Sequence, residues 1–131
     1  MSTTQLTTGS RDAATNAIVD QLDTGSPTLE ICAGTVGAVS TVLAIIPLSA
    51  PAFGASSTGT ATLLGVPLSD TSANATGTAG VFLFKNNAGT EVWRGDISTT
   101  AAGTGAMTMP STSITLTEPV RIDSYTITTP A

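Results

Sequence analysis

Asp70, Ser72, Asn74 and Thr76 place four oxygen-bearing side chains at alternate positions, the spacing with which an EF-hand loop presents ligands to calcium. The likeness breaks where that chemistry is most demanding. Ala75 stands where the loop needs glycine for its sharp turn, and Val81 stands where the ion needs a bidentate glutamate. Two groups of carboxylates have the proximity that acid and base catalysis of glycoside hydrolysis would use: Asp12, Asp20 and Asp23, then Glu91 and Asp96 around Trp93. The first group falls on the polar side of an expected helix and the second on a hairpin arm, so solvated faces account for both. The chain has no histidine, which removes the usual general base near neutral pH, the commonest metal ligand and the standard partner of a nucleophilic Ser or Cys. Cys32 is the single cysteine, sits in an apolar pattern and reads as a buried small residue. The glycines lack GxGxxG or Walker spacing, and the Asn-Ala-Thr acceptor at Asn74 lacks a secretory context. The residues therefore assign no catalytic site, no metal site and no cofactor, and the expectation is a protein that is not an enzyme.

Composition narrows the class. The 131 residues suit one domain with a single core, and charged residues make up only 10% of them, against roughly a quarter in a typical soluble domain. With 40% hydrophobic residues in short β-branched runs, disorder is a poor reading. Four basic residues, Arg11, Lys85, Arg94 and Arg121, are scattered singly among nine acids, so no basic stripe is present and nucleic acid is not an expected partner. Residues 31–69 carry no charge, yet Pro47 and Pro51 interrupt the apolar run well short of the ~20 residues a spanning helix needs, so no membrane is expected either. The start of the chain has neither a basic leader nor an apolar signal core, from which synthesis in the cytoplasm is expected.

These residues need a frame. Ser10 or Thr8 can cap a helix in which Asp12 occupies the first turn and Ala14, Ile18 and Leu22 share one face, ended by Gly25 and Pro27. Beyond it the period is two and the punctuation is Gly, Pro, Ser and Asn, predicting about eight strands: 28–32, 41–48, 60–64, 80–86, 90–97, 106–109, 113–116 and 120–128. The clearest unit is a hairpin turning at Asn87, Ala88 and Gly89, with Phe82 and Phe84 on one face of its first arm and Glu91, Trp93 and Ile97 on one face of its second. The expected core includes Ile18, Leu22, Phe82, Phe84 and Trp93, with Trp93 packed on Phe82 or Phe84. The expected architecture is mainly β: an antiparallel β-sandwich, jelly-roll-like, with one short N-terminal helix. An N-terminal arm occupies residues 1–9 and a single domain residues 10–131. Asp, Ser, Asn and Thr in "SDTSANATGTAG" can bond nearby backbone, which predicts an ordered loop suited to an assembly surface.

The succession "PLSAPAFGASSTGTATL", "SDTSANATGTAGVFLF", "GTEVWRGDISTT", "STSITL" and "VRIDSYTITTP", after a helix of the "RDAATNAIVDQLDTG" kind, resembles small virion structural proteins of tailed bacteriophages and prophages. The resemblance runs from about Ser10 nearly to the end, and its most specific pieces are "PAFG", "DTSANATGTAG" and "GDI". It implies a capsid decoration or cement protein on the outer surface of the head, made in the host bacterial cytoplasm, that binds the major capsid protein and stabilises the head as a homo-oligomer, for example a trimer. The alternative is a tail or head-fibre component that binds another virion protein or a host glycan. An enzyme such as a polysaccharide hydrolase ranks third. Candidate partner contacts are Thr3, Thr4, Gln5 and Leu6 in the arm, which can add a strand to a neighbour's edge, and Phe53 in "PAFG". Two stretches depart from the usual look of such proteins, "VGAVSTVLAIIPLS" and "TTAAGTGAMTM", and each is a candidate partner surface.

Overall fold

The computed structural model describes residues 4–129. The chain opens with helix α1, Thr8–Val19, followed by a 3-10 turn at Asp20–Leu22. The cap is Thr7, upstream of both expected candidates. Its backbone is extended and its Oγ1 accepts the Ser10 N–H at 3.2 Å, so the helix starts early enough to leave Asp12 outside the first turn. The buried face is also displaced from the expected Ala14, Ile18 and Leu22. Thr15 and Val19 are buried and Ile18 is only half-buried, while the tighter 3-10 turn brings Leu22 inward to 0% exposure.

Among the described residues eleven strands follow: β1 Thr28–Thr35, β2 Ala38–Pro47, β3 Thr60–Thr62, β4 Leu68–Asp70, β5 Gly77–Thr78, β6 Val81–Lys85, β7 Glu91–Thr99, β8 Met107–Met109, β9 Ser113–Ile114, β10 Val120–Ile122 and β11 Thr126–Thr128. All eight expected runs contain strand, and the last is broken into two at Asp123, Ser124 and Tyr125. A five-stranded sheet has the order β2-β1-β6-β7-β8, and three two-stranded ribbons pair β4 with β10, β3 with β11 and β5 with β9. The large sheet is mixed, which corrects the purely antiparallel expectation. β7 and β8 run parallel, with Ile97 opposite Met107. The connection at residues 100–106 turns back on itself, held by Ser98 Oγ, which accepts the Thr104 and Gly105 N–H groups, and by Asp96 Oδ1, which accepts that of Ala106.

The pleat divides the sheet into two faces. On the inner face, Leu29, Ile31, Phe82, Phe84 and Ile97 join one large core with Ala61, Leu63, Ile114, Val120 and Ile122 from the ribbons and Val19 and Leu22 from the helical segment. Each fully buried Leu, Ile or Phe contributes about 1.5–3 kcal/mol, so this shared core ties the ribbons to the sheet. The outer face has a second, smaller cluster of Cys32, Val81 and Leu83, flanked by half-buried Val39 and Val42. β6, the central strand, is thus buried on both faces.

Candidate interaction surface

The hairpin forms as its residues predict. Asn86 Oδ1 accepts the Ala88 and Thr90 N–H groups, and Gly89 supplies the left-handed turn position at φ 81°. A bulge between the Phe84 and Lys85 pairings shifts the alternation on β7, however. Trp93 and Ile97 face the core as expected, while Glu91 lies with Arg94 on the outer side, bonded by both carboxylate oxygens at 2.8 and 2.6 Å. Trp93 stacks on Phe84 with centroids 4.4 Å apart, and its indole N–H donates to Tyr125 Oη at 3.1 Å.

Phe53 belongs to this aromatic group and is 3% exposed. Its ring lies 5.6 Å from both Phe84 and Trp93 and 6.0 Å from Tyr125. It fills the core and offers no surface to a partner, because the loop between Pro51 and Gly54 turns inward and bridges to Leu63. Thr4, Gln5 and Leu6 are exposed and outside regular structure, with Leu6 at 44%. Thr3 lies outside the described residues.

Three of the carboxylates singled out in the sequence, Asp12, Glu91 and Asp96, serve as ties. Asp12 Oδ1 accepts the Ser56 hydroxyl and the Gly59 N–H, both at 2.7 Å, and these bonds, Gly59 first, hold its pKa below the ordinary aspartate value. Asp23 is pushed the other way by burial and by the neighbouring Asp20 charge. Around α1, Asn16 Oδ1 accepts the Ser56 N–H, Thr15 Oγ1 donates to the Gly59 carbonyl, and Arg11 Nε donates to the Thr129 carbonyl. Two members of the calcium-like series, Asp70 and Thr76, are also spent on backbone. Asp70 accepts the Ile45 and Ser72 N–H groups, and Thr76 Oγ1 accepts that of Leu116. Among the described residues, no group of three or more His, Cys, Asp or Glu is placed to hold a metal ion. No helix among them is long and apolar enough to cross a membrane.

Three surface features remain. An open groove of about 350 Å³ lies between residues 109–115 and 118–121, lined by Pro110, Ser111, Thr115, Glu118, Pro119 and Arg121 among others. The outer face of the sheet carries two charged straps, Lys85 with Glu30 at 2.9 Å and Arg94 with Glu91, and Arg94 also donates to the Val36 carbonyl across the β1–β2 turn. The third is the free edge of β2 at residues 38–42, within the apolar "VGAVSTV" stretch; the Lys85–Glu30 strap has no sequence signal because its partners lie far apart in the chain, whereas Glu91 and Arg94 stand within one strand and the groove is lined from residues 109–121. Comparison with protein-family models, with curated proteins and with solved structures gives no match, so these geometries are what the chain offers to a functional argument.

Proposed function

We propose that this chain is a non-enzymatic structural protein of a bacteriophage virion, a decoration or cement protein that binds the major capsid protein on the outside of the head. The proposal takes the five-stranded sheet and the ribbons across the core from it as the two layers of a jelly-roll-like sandwich. The observation that carries the reading is the tied loop at residues 69–80. Its Asp70, Ala73, Asn74, Thr76 and Ala79 are bonded to Ile45, Glu118, Leu43, Leu116 and Thr112 respectively, through side chain or backbone. A long, small-residue, hydroxyl-rich surface held this firmly loses little conformational entropy on docking. That property supports a rigid brace better than a pocket that must close on a substrate. The sequence resemblance to tailed-phage virion proteins supports the same reading, and the net charge of -5 disfavours a place against packaged DNA.

In this reading the exposed arm around Thr4, Gln5 and Leu6 contributes main-chain contacts to a capsid subunit, and several arms of an oligomer act together. Heads prepared with and without the protein test it. Loss of the protein should leave heads that assemble yet release DNA at lower temperature, and deletion of residues 1–6 should weaken capsid binding without unfolding the chain. Equal heat stability with and without it would refute cementing, and recovery only with purified tails would move the protein off the head. The second reading, a tail or head-fibre component, draws on the groove beside Glu118 and Arg121, whose mixed polar and apolar lining suits a sugar. Glycan binding abolished by blocking that groove would favour it.

A further inference from the structure

We infer that the edge of β2 at residues 38–42 is a self-association surface, at which two copies of this chain pair antiparallel and extend their five-stranded sheets into one. β2 is an outermost strand, bonded to β1 on one side. Its later part is closed on the other side: the Ile45 N–H donates to Asp70 Oδ2, and the Leu43 carbonyl accepts the Asn74 N–H. Among the described residues, nothing hydrogen-bonds to the outer edge at residues 38–42. The Ala38 carbonyl and the Ser40 N–H lie against Gly34 of β1, which turns the N–H and C=O of Val39 outward. Folded proteins ordinarily blunt such an edge with Lys, Pro, an inward charge or a bulge, and this one, Ala-Val-Ser-Thr-Val, has no Lys, Pro or charge and relies on the irregular register opposite Cys32 and Gly34.

Two observations make a second copy the occupant. The first is charge. Lys85, Arg94 and Arg121 are each paired to an acid, and the chain is left with a net charge of -5, so two copies repel over most approaches. The β2 edge at residues 38–42 carries no charged side chain of its own, so pairing two copies there sets no like charges of that segment directly opposite each other. The second is continuity of packing. The irregular β1–β2 register puts both Val39 and Val42 beside the outer cluster of Cys32, Val81 and Leu83, where each is only half-buried. A two-fold axis between Ser40 and Thr41 sets Val39 opposite the partner's Val42, so the cluster runs across the seam. Val36, 43% exposed in the adjoining turn, lies beside that seam. This inference is independent of the capsid reading and holds for the isolated protein.

Sedimentation of the full chain between about 1 µM and 1 mM, which brackets weak to moderate association, tests it. A concentration-dependent dimer is expected. Thr41→Lys places two cations against each other and should weaken the dimer about tenfold or more, with added salt restoring part of the loss. Thr115→Lys, exposed outside β2, should leave the dimer unchanged. Should Thr41→Lys fail to fold, hydrogen exchange of the unaltered chain gives the same answer, since the outward-facing Val39 amide must gain protection as concentration rises. A monomer throughout the range, or a dimer indifferent to Thr41→Lys, would overturn the inference. Loss of the dimer on deleting residues 1–6 would also overturn it, by giving the edge to the arm of a neighbour.

Discussion

Gly95 stands directly opposite Phe82 in the β6–β7 ladder, and a methyl group added there would come 2.6 Å from Cζ and 2.8 Å from Cε1 of that ring. Carbon atoms rest at about 3.5–4.0 Å, so the ring would have to retreat by about 1 Å. It has little room. Phe82 is 0% exposed and lies edge-on to Phe84 at 5.5 Å and to Tyr125 at 5.2 Å. Overpacking of this kind costs about 1–3 kcal/mol, while replacing glycine returns about 0.5–1 kcal/mol by restricting the unfolded chain. Gly95→Ala should therefore destabilise the protein by up to about 2.5 kcal/mol. In a Phe82→Leu background the offending ring atoms are gone, and the same change should be neutral or stabilising by up to about 1 kcal/mol. The implied coupling, which is the overpacking term alone, is about 1–3 kcal/mol and within the range that double-mutant cycles resolve for residues in contact. Urea unfolding of the four proteins, followed by Trp93 fluorescence and far-ultraviolet circular dichroism, measures it. An equal cost in both backgrounds would refute the claim that Gly95 is kept bare for Phe82.

Trp93→Ala removes the ring stacked on Phe84 and leaves Tyr125 Oη without its donor, so it should cost about 3–5 kcal/mol, whereas Trp93→Phe should cost clearly less; thermal melting separates them, and a normal melt for Trp93→Ala would refute its part in the core. Hydrogen bonds from Gly59 and Ser56 depress the Asp12 pKa, so its contribution to stability is present above about pH 4 and is lost as pH falls through the lower folded value. Asp12→Asn should flatten that acid limb of the melting curve, and identical slopes would count against the clasp. Asp23, raised by burial, has the opposite sign and offsets part of the effect. Burial pushes the Cys32 thiol up to about 11, so thiol reagents at pH 8 should label it only as fast as the protein unfolds; prompt labelling of the native chain would show that the outer cluster is open.

How much was legible follows from which signals are local. The hairpin, its turn and the Phe84–Trp93 contact lie within a short stretch whose alternation carries the information. β4 and β5 went unseen because Leu68–Asp70 and Gly77–Thr78 contain almost no apolar alternation, and long-range pairing with β10 and β9 is what makes them strands. The helix was visible but its inward face was misjudged, since a uniform step of four residues does not anticipate the 3-10 turn that carries Leu22. The burial of Phe53 has no local signal, since the rings that surround it come from β6, β7 and the break before β11. The parallel direction of β8 has no periodic signature at all.

The bonds from Arg11 and Thr15 to Thr129 join residues 118 and 114 positions apart, while Asp12, Thr15 and Asn16 reach Ser56 and Gly59. Twelve residues make a marginal helix in water, so α1 keeps its shape through these distant partners. The β1–β2 hairpin can form from neighbouring residues and β6 and β7 can then add to it, whereas the helix docks only where the segment at residues 56–59 is in place, and Thr129 closes the clasp. Folding of the body is thus paced by distant pairings, as expected for a topology built from non-local contacts.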